Sequence, residues 1–163
     1  MNRRRKKHYF QSPPGSPPPL AVTVHRRVAF SDVDPMGILW HGRYPLYFEQ
    51  ANEELGRRCD MTYADFFREE LRAPIIQYHI DYFASPVLGE GTEIIARMIW
   101  NEGARMNLEY ELRKESGIIA AAAYTVQMFV TAEGETCLAS PEMLNRCRER
   151  WLNGEFDAMR MDP

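Results

Sequence analysis

The chain has 163 residues, 45% hydrophobic and 12% aromatic, which suits one globular domain with a sizeable core and excludes a disordered protein. Net charge is −3, yet five of the 20 basic residues crowd into positions 3–7 and no acid precedes Asp32, so the remainder carries 15 basic against 23 acidic groups. An acidic body does not suit nucleic acid, and no apolar run approaches the roughly 18 residues that a membrane span requires.

Residues 1–19 read as a disordered basic, proline-rich tail. The run Ser12-Pro13-Pro14-Gly15-Ser16-Pro17-Pro18-Pro19 can join neither a helix nor an interior strand, and it stands where a secretory signal would need an apolar stretch. The three cysteines, Cys59, Cys137 and Cys147, lack the spacing of a disulfide framework or a zinc site, which predicts a cytoplasmic protein with no metal and no cofactor.

The segment Ala21 to Phe30 alternates as a strand, with Val22, Val24, Val28 and Phe30 on one parity. A loop follows in which two carboxylates, a histidine, two glycines and two prolines fall within the sixteen residues Phe30 to Pro45. From Tyr44 to Cys59, Tyr44, Tyr47, Phe48, Ala51 and Leu55 form one helical stripe, and Pro45 suits the first turn. Thr62 to Leu71 predicts a short second helix, with Thr62 and Asp65 as a capping box. Strands are predicted over Pro74 to Phe83, Thr92 to Trp100, Arg105 to Arg113 and Ile118 to Thr131, with Thr136 to Ala139 as an extension of the sheet. A final helix opens at Ser140 as N-cap with Pro141 at N1 and runs to about Trp151. The domain is expected over residues 20–152, with 153–163 as a C-terminal tail.

One strand, a long apolar-striped helix, then successive strands joined by short turns imply an α+β arrangement: an antiparallel sheet wrapped around one long central helix. The edge strands of such a sheet are protected by pairing with a second copy, so a homo-oligomer is expected, a dimer at least and a tetramer as the larger form.

The loop carries the most specific signal. Asp32-Val33-Asp34-Pro35-Met36-Gly37-Ile38-Leu39-Trp40-His41-Gly42-Arg43-Tyr44, with Tyr47-Phe48-Glu49 on the following helix, resembles the signature of the 4-hydroxybenzoyl-CoA thioesterase family. The element order over residues 21–151 matches as well. The resemblance implies the hotdog fold and an acyl-CoA thioesterase that releases free acid and CoA. By position it makes Asp34 the catalytic carboxylate, as nucleophile or as general base. It gives the His41 backbone N–H the task of polarising the thioester carbonyl, and it makes Asp32 a supporting acid. Glu49 matches the acid on the helix, a candidate second carboxylate. Gly42-Arg43 departs from the family, where Asn commonly precedes the Tyr.

The residues support these roles chemically. Thioester hydrolysis needs a base or nucleophile beside the carbonyl and donors for the developing oxyanion, and free N–H groups at the start of the Tyr44 helix can supply those donors. Ile38, Leu39, Trp40 and Tyr44 are the candidate lining of the acyl slot. Arg105 is the candidate cation for the phosphates of CoA. The substrate is an acyl-CoA or an acyl-carrier-protein thioester, and the acyl group stays open. A hotdog enoyl-thioester hydratase or dehydratase using the His41 ring, or a non-catalytic acyl-CoA-binding module, are the competing readings.

Overall fold

Five apolar residues at helical spacing commit residues 44–58 to burial along one side, and the whole architecture follows from what covers that side. In the computed structural model, which describes residues 8–160, Tyr44, Tyr47, Phe48, Ala51 and Leu55 are all buried. The elements are β1 (Leu20–Arg27), α1 (Tyr44–Arg58), α2 (Tyr63–Arg68), β2 (Leu71–Arg72), β3 (Ile75–Tyr82), β4 (Gly91–Ile99), β5 (Arg105–Lys114), β6 (Ile119–Met128), β7 (Val130–Thr131) and α3 (Glu142–Leu152). Five strands form one antiparallel sheet in the order β1-β4-β5-β6-β3, and β2 pairs separately with β7. The sheet curls around α1, which packs chiefly against β1 and β4 and also touches β5. This is the antiparallel sheet around a long helix that the element order implied.

Register decides which side chains meet α1. Val22 lies opposite Ala96, Ala96 opposite Tyr110, Tyr110 opposite Ala123, and Ala123 opposite Ile80, so one row crosses all five strands. Period-two alternation puts that whole row on one face, and the Phe48 ring sits 5.2 Å from the Tyr110 ring, fixing it as the helix-facing side. The alanines of β6 have high helix propensity but pair as a strand. Ala120 to Ala123 are completely or almost completely buried, so sheet packing overrides local preference.

The opposite face carries Arg97, Glu109, Tyr124 and His79 as its matching row. Residues 8–12 lie on this face. The nearly fully buried Glu109 carboxylate accepts the Tyr9 N–H at 2.6 Å and the Phe10 N–H at 3.0 Å, and pairs with His8 Nδ1 at 2.9 Å. Tyr9 donates its hydroxyl to Asp81, and the Tyr9 and Phe10 rings pack on Tyr124. The expectation of a disordered tail therefore does not describe residues 8–12. The Tyr9 and Phe10 N–H groups go to a carboxylate rather than into a ladder, so no periodicity announces them; residues 1–7 lie outside the described residues. Glu109→Ala is expected to cost about 2 kcal/mol by leaving these donors without a charged acceptor, whereas Glu109→Gln keeps an acceptor and costs less. Urea midpoints of the two variants check this.

Other boundaries shift for identifiable reasons. β1 ends at Arg27 because Ala29 C=O accepts the Asp32 N–H and turns the chain, leaving Phe30 84% exposed rather than on the strand. Thr136 to Ala139 gives only an isolated bridge, Thr136 with Val130. Pro141, not Ser140, takes the N-cap position of α3, since the Ser140 hydroxyl is engaged by Arg148 at 2.7 Å. Residues 153–160, expected as tail, fold back: Phe156 is buried, Leu20 bridges to Arg160, and Arg160 donates to the Trp151 carbonyl at 2.6 Å. Residues 161–163 lie outside the described residues. Among the described residues no helix is long and apolar enough to cross a membrane.

Candidate active site

The loop between β1 and α1 is built on a tight turn. Asp34 C=O accepts the Gly37 N–H at 2.9 Å, and Asp34 N–H donates to Ile38 C=O at 2.9 Å. Pro35 supplies the fixed φ that favours a turn, and Gly37 adopts φ +77°, where a side chain would be strained. The Asp34 side chain closes the turn on itself: Oδ1 accepts Met36 N–H at 2.8 Å and Ile38 N–H at 3.4 Å. Among the described residues no hydrogen bond holds Oδ2. The half-buried carboxylate is thus oriented through one oxygen and free to act through the other.

Asp32 is used differently. It is 2% exposed; Oδ2 accepts the Tyr47 hydroxyl at 2.8 Å and Arg26 Nη2 at 3.1 Å, and Arg26 stacks over the Tyr47 ring at 4.3 Å. Burial pushes its carboxyl up, but the Tyr47 hydrogen bond and the Arg26 guanidinium outweigh burial and hold it below the ordinary range. Burial and the Asp32 charge together push the Tyr47 hydroxyl well above its ordinary value. This closed triad ties β1, the loop and α1 together and leaves Asp32 no free face for chemistry. The aspartate was visible in the sequence. Its partners were not, because an Arg on the apolar parity of a strand reads as an interruption.

His41 opens a short turn, His41–Arg43, that runs directly into α1. N–H groups in the first turn of a helix lack internal acceptors, so the His41 and Gly42 N–H groups stand where an oxyanion could be held. The His41 ring is exposed and rests on Trp40 with centroids 5.1 Å apart; its C=O accepts the Tyr82 hydroxyl at 3.3 Å. A Cβ at Gly42 would lie 2.5 Å from the Trp40 ring, so a larger residue there would push that exposed ring aside.

Glu49 lies on the second turn of α1, half-buried, and accepts the Tyr63 hydroxyl. Burial, then Glu49 itself, push the Tyr63 hydroxyl up. Within one chain no hydrogen bond joins Glu49 to Asp34 among the described residues. Of the expected acyl-slot residues, Ile38 and Trp40 remain accessible, Ile38 bridging to Val87. Leu39 and Tyr44 are buried in the core, Tyr44 as its place in the helical stripe implied. Leu39 N–H is held by Pro86 C=O at 2.8 Å, and the Tyr44 ring packs edge-on against Tyr82. An apolar cavity of about 310 Å³ lies farther along α1, against Leu55, Met61, Met98, Met106 and Leu108, with Tyr63 at its rim. Arg105 stands at the far end of β5, about 30 Å along the strand from Lys114, which reaches Ser85 and Glu90 on the β3–β4 connection, whose Leu88 N–H donates to Gly37 C=O in the loop. Within one chain Arg105 is therefore remote from Asp34. Among the described residues no group of three or more His, Cys, Asp or Glu side chains could hold a metal ion.

Comparison with protein families matches residues 28–147 to the Thioesterase-like superfamily. A comparison with curated protein sequences gave no match. Among solved structures, a 1,4-dihydroxy-2-naphthoyl-CoA thioesterase from Synechocystis is 18% identical with TM-score 0.70, covering 78% of this chain and 95% of its own. A DHNA-CoA thioesterase from Staphylococcus aureus is 19% identical with TM-score 0.70, covering 85% and 90%. The hypothetical protein SAV2348 from Staphylococcus aureus, solved in complex with CoA, is 13% identical with TM-score 0.75, covering 91% and 90%. At these identities the likeness establishes the hotdog fold and nothing finer.

Proposed function

The chain belongs to the Thioesterase-like superfamily and is a thioester hydrolase, and on that premise we propose that it hydrolyses an acyl-CoA thioester to free acid and CoA with Asp34 as the catalytic carboxylate. The observation that carries the reading is the Asp34 turn. One carboxylate oxygen is locked by main-chain N–H groups, the other is free, and a helix start follows within the same loop. Asp34 Oδ2 either attacks the thioester carbonyl, giving a mixed anhydride that water then hydrolyses to the free acid, or takes a proton from a water that attacks the carbonyl directly; the His41 main-chain N–H stabilises the oxyanion, and the C–S bond breaks with CoA leaving as the thiol. The loop signature favours the 4-hydroxybenzoyl-CoA thioesterase type within the superfamily, and the CoA held by one structural neighbour supports CoA as the thiol.

Assembly belongs to the proposal. β3 is an edge strand with Ile75, Ile76, Tyr78 and Tyr82 exposed, an open row of backbone groups beside an apolar surface. Two copies pairing antiparallel along β3 would set the Tyr82 end of one, whose hydroxyl donates to its own His41 C=O, next to the Ile75 end of the other. The protein is expected to have about twice the 19.0 kDa chain mass in solution, measured by light scattering; a monomer at working concentration would remove the shared site.

The test of function is free-thiol release over a panel of aromatic, short-chain and long-chain acyl-CoAs. Turnover of at least one is expected. Hydration of an enoyl thioester without thiol release would identify a lyase instead, and binding without turnover would identify a binding module.

A further inference from the structure

The N–H groups of His41 and Gly42 belong to two peptides whose carbonyls are both held. A trans peptide is planar, with its C=O and its N–H pointing in opposite directions, so a bond to one fixes the aim of the other. Trp40 C=O accepts the Arg43 N–H at 2.8 Å, which fixes the His41 N–H. His41 C=O accepts the Tyr82 hydroxyl at 3.3 Å, which fixes the Gly42 N–H. The first bond is main chain and forms with the turn itself. The second comes from a side chain of β3, 41 residues along the chain.

Pro45 explains why a side chain is used there. At α-helical spacing His41 C=O would accept from residue 45, and proline has no N–H to give. The Tyr82 hydroxyl donates to that carbonyl from outside the helix. Tyr82 is itself well placed. It pairs with Ala121 at the end of β3, and the next residue, Phe83, donates its N–H to Ala120 C=O at 2.8 Å. The Tyr82 ring meets Tyr44 edge-on with centroids 4.9 Å apart. Partial burial pushes the Tyr82 hydroxyl above its ordinary value, so it keeps its proton and remains a donor at neutral pH.

We propose that Tyr82 is a positioning residue for thioester hydrolysis: its hydroxyl holds the His41–Gly42 peptide so that the Gly42 N–H joins the His41 N–H as a second donor to the oxyanion. This role rests on the thioesterase reading and deepens it. In it Tyr82 touches no reacting atom and acts through the peptide alone. A donor already aimed at the developing charge need not turn as that charge forms, and the gain is realised in the transition state rather than in substrate binding. The parameter that moves is therefore kcat.

Tyr82→Phe keeps the ring against Tyr44 and loses only the hydroxyl. On the acyl-CoA of the panel that wild type cleaves fastest, kcat is expected to fall about tenfold, less than the hundredfold or more that follows outright loss of an oxyanion donor. KM should stay within twofold of wild type, with the solution mass unchanged and the melting temperature within a few degrees. Rescue is the second arm. Pro45→Ala returns an N–H four residues after His41, so Pro45→Ala/Tyr82→Phe is expected to turn over at least threefold faster than Tyr82→Phe alone. A role in packing or assembly would not be rescued in this way. Wild-type kcat in Tyr82→Phe, a loss confined to KM, a lowered melting temperature or mass that accounts for the loss, or a double variant no faster than Tyr82→Phe overturns the assignment. The two readings fail differently. A wild type that releases thiol from no acyl-CoA ends the thioesterase reading and this role with it, whereas wild-type turnover that Tyr82→Phe leaves unaltered rejects the positioning role alone.

Discussion

Replacing Asp34 with Asn is expected to lower kcat on the best acyl-CoA by about a thousandfold while leaving the fold intact, within the range that a positioned acid or base contributes. The choice of Asn follows from the turn. Asp34 Oδ1 accepts the Met36 and Ile38 N–H groups, and an amide oxygen in the same place accepts them too. What Asn cannot do is attack a thioester or take a proton from water. Asp34→Ala removes the turn contacts as well and so mixes structure with chemistry. Steady-state thiol release, with a thermal melt on the same sample, separates the two. A folded Asn variant with wild-type turnover would move the chemistry elsewhere, with Glu49 next in line. Because Glu49 is engaged by Tyr63, Tyr63→Phe with Glu49→Gln would then be the informative pair.

Replacing Asp32 with Ala is expected to be the most destabilising single change in the loop, costing about 3 kcal/mol. The Asp32 carboxylate is almost completely buried and holds both the Tyr47 hydroxyl and Arg26. Its loss strands a hydroxyl inside the core and half of an ion pair. The figure sits at the low end for a broken buried pair because Arg26, 30% exposed, can turn toward water. Asp32→Asn keeps an acceptor for Tyr47 and should cost less. The pH dependence carries the same signature. The Asp32 carboxyl is held below its ordinary 3.8, so its contribution to stability is complete above that value and is lost as pH falls through the lower folded-state value. The wild type should therefore lose stability below about pH 4 more steeply than the Ala variant does. Parallel acid limbs in urea titrations would show that folding does not lower the Asp32 carboxyl.

Much of the fold was legible because its signals are one-dimensional. The stripe Tyr44, Tyr47, Phe48, Ala51, Leu55 marks a helix with one buried side, and all five are buried. Thr62 and Asp65 form the capping box their spacing announced, with Thr62 N–H donating to Asp65 at 2.8 Å. The alternation in β5 predicted its span within one residue. The loop with Asp34 stood out because turn chemistry is local: Asp, Pro and Gly at fixed offsets set the backbone whatever surrounds them.

The readings that shifted all depended on which strands lie side by side. Leu39 looked like acyl-slot lining because it sits beside the signature; it is buried, and the Pro86 carbonyl, more than forty residues away, holds its N–H. Arg105 looked like a phosphate ligand because it heads a clean strand, yet it stands at the end of β5 opposite Lys114, which reaches the connection between β3 and β4. The composition and periodicity of this chain determined its elements, its helix-centred sheet and the turn that presents Asp34. Only the tertiary structure decided that Arg26 and Tyr47 close on Asp32 and that residues 8–10 dock on Glu109. The physical reason is register: periodicity records which side of a strand is buried, but which residues from distant segments face each other is set by strand pairing, where a one-residue slip would send every side chain to the other face.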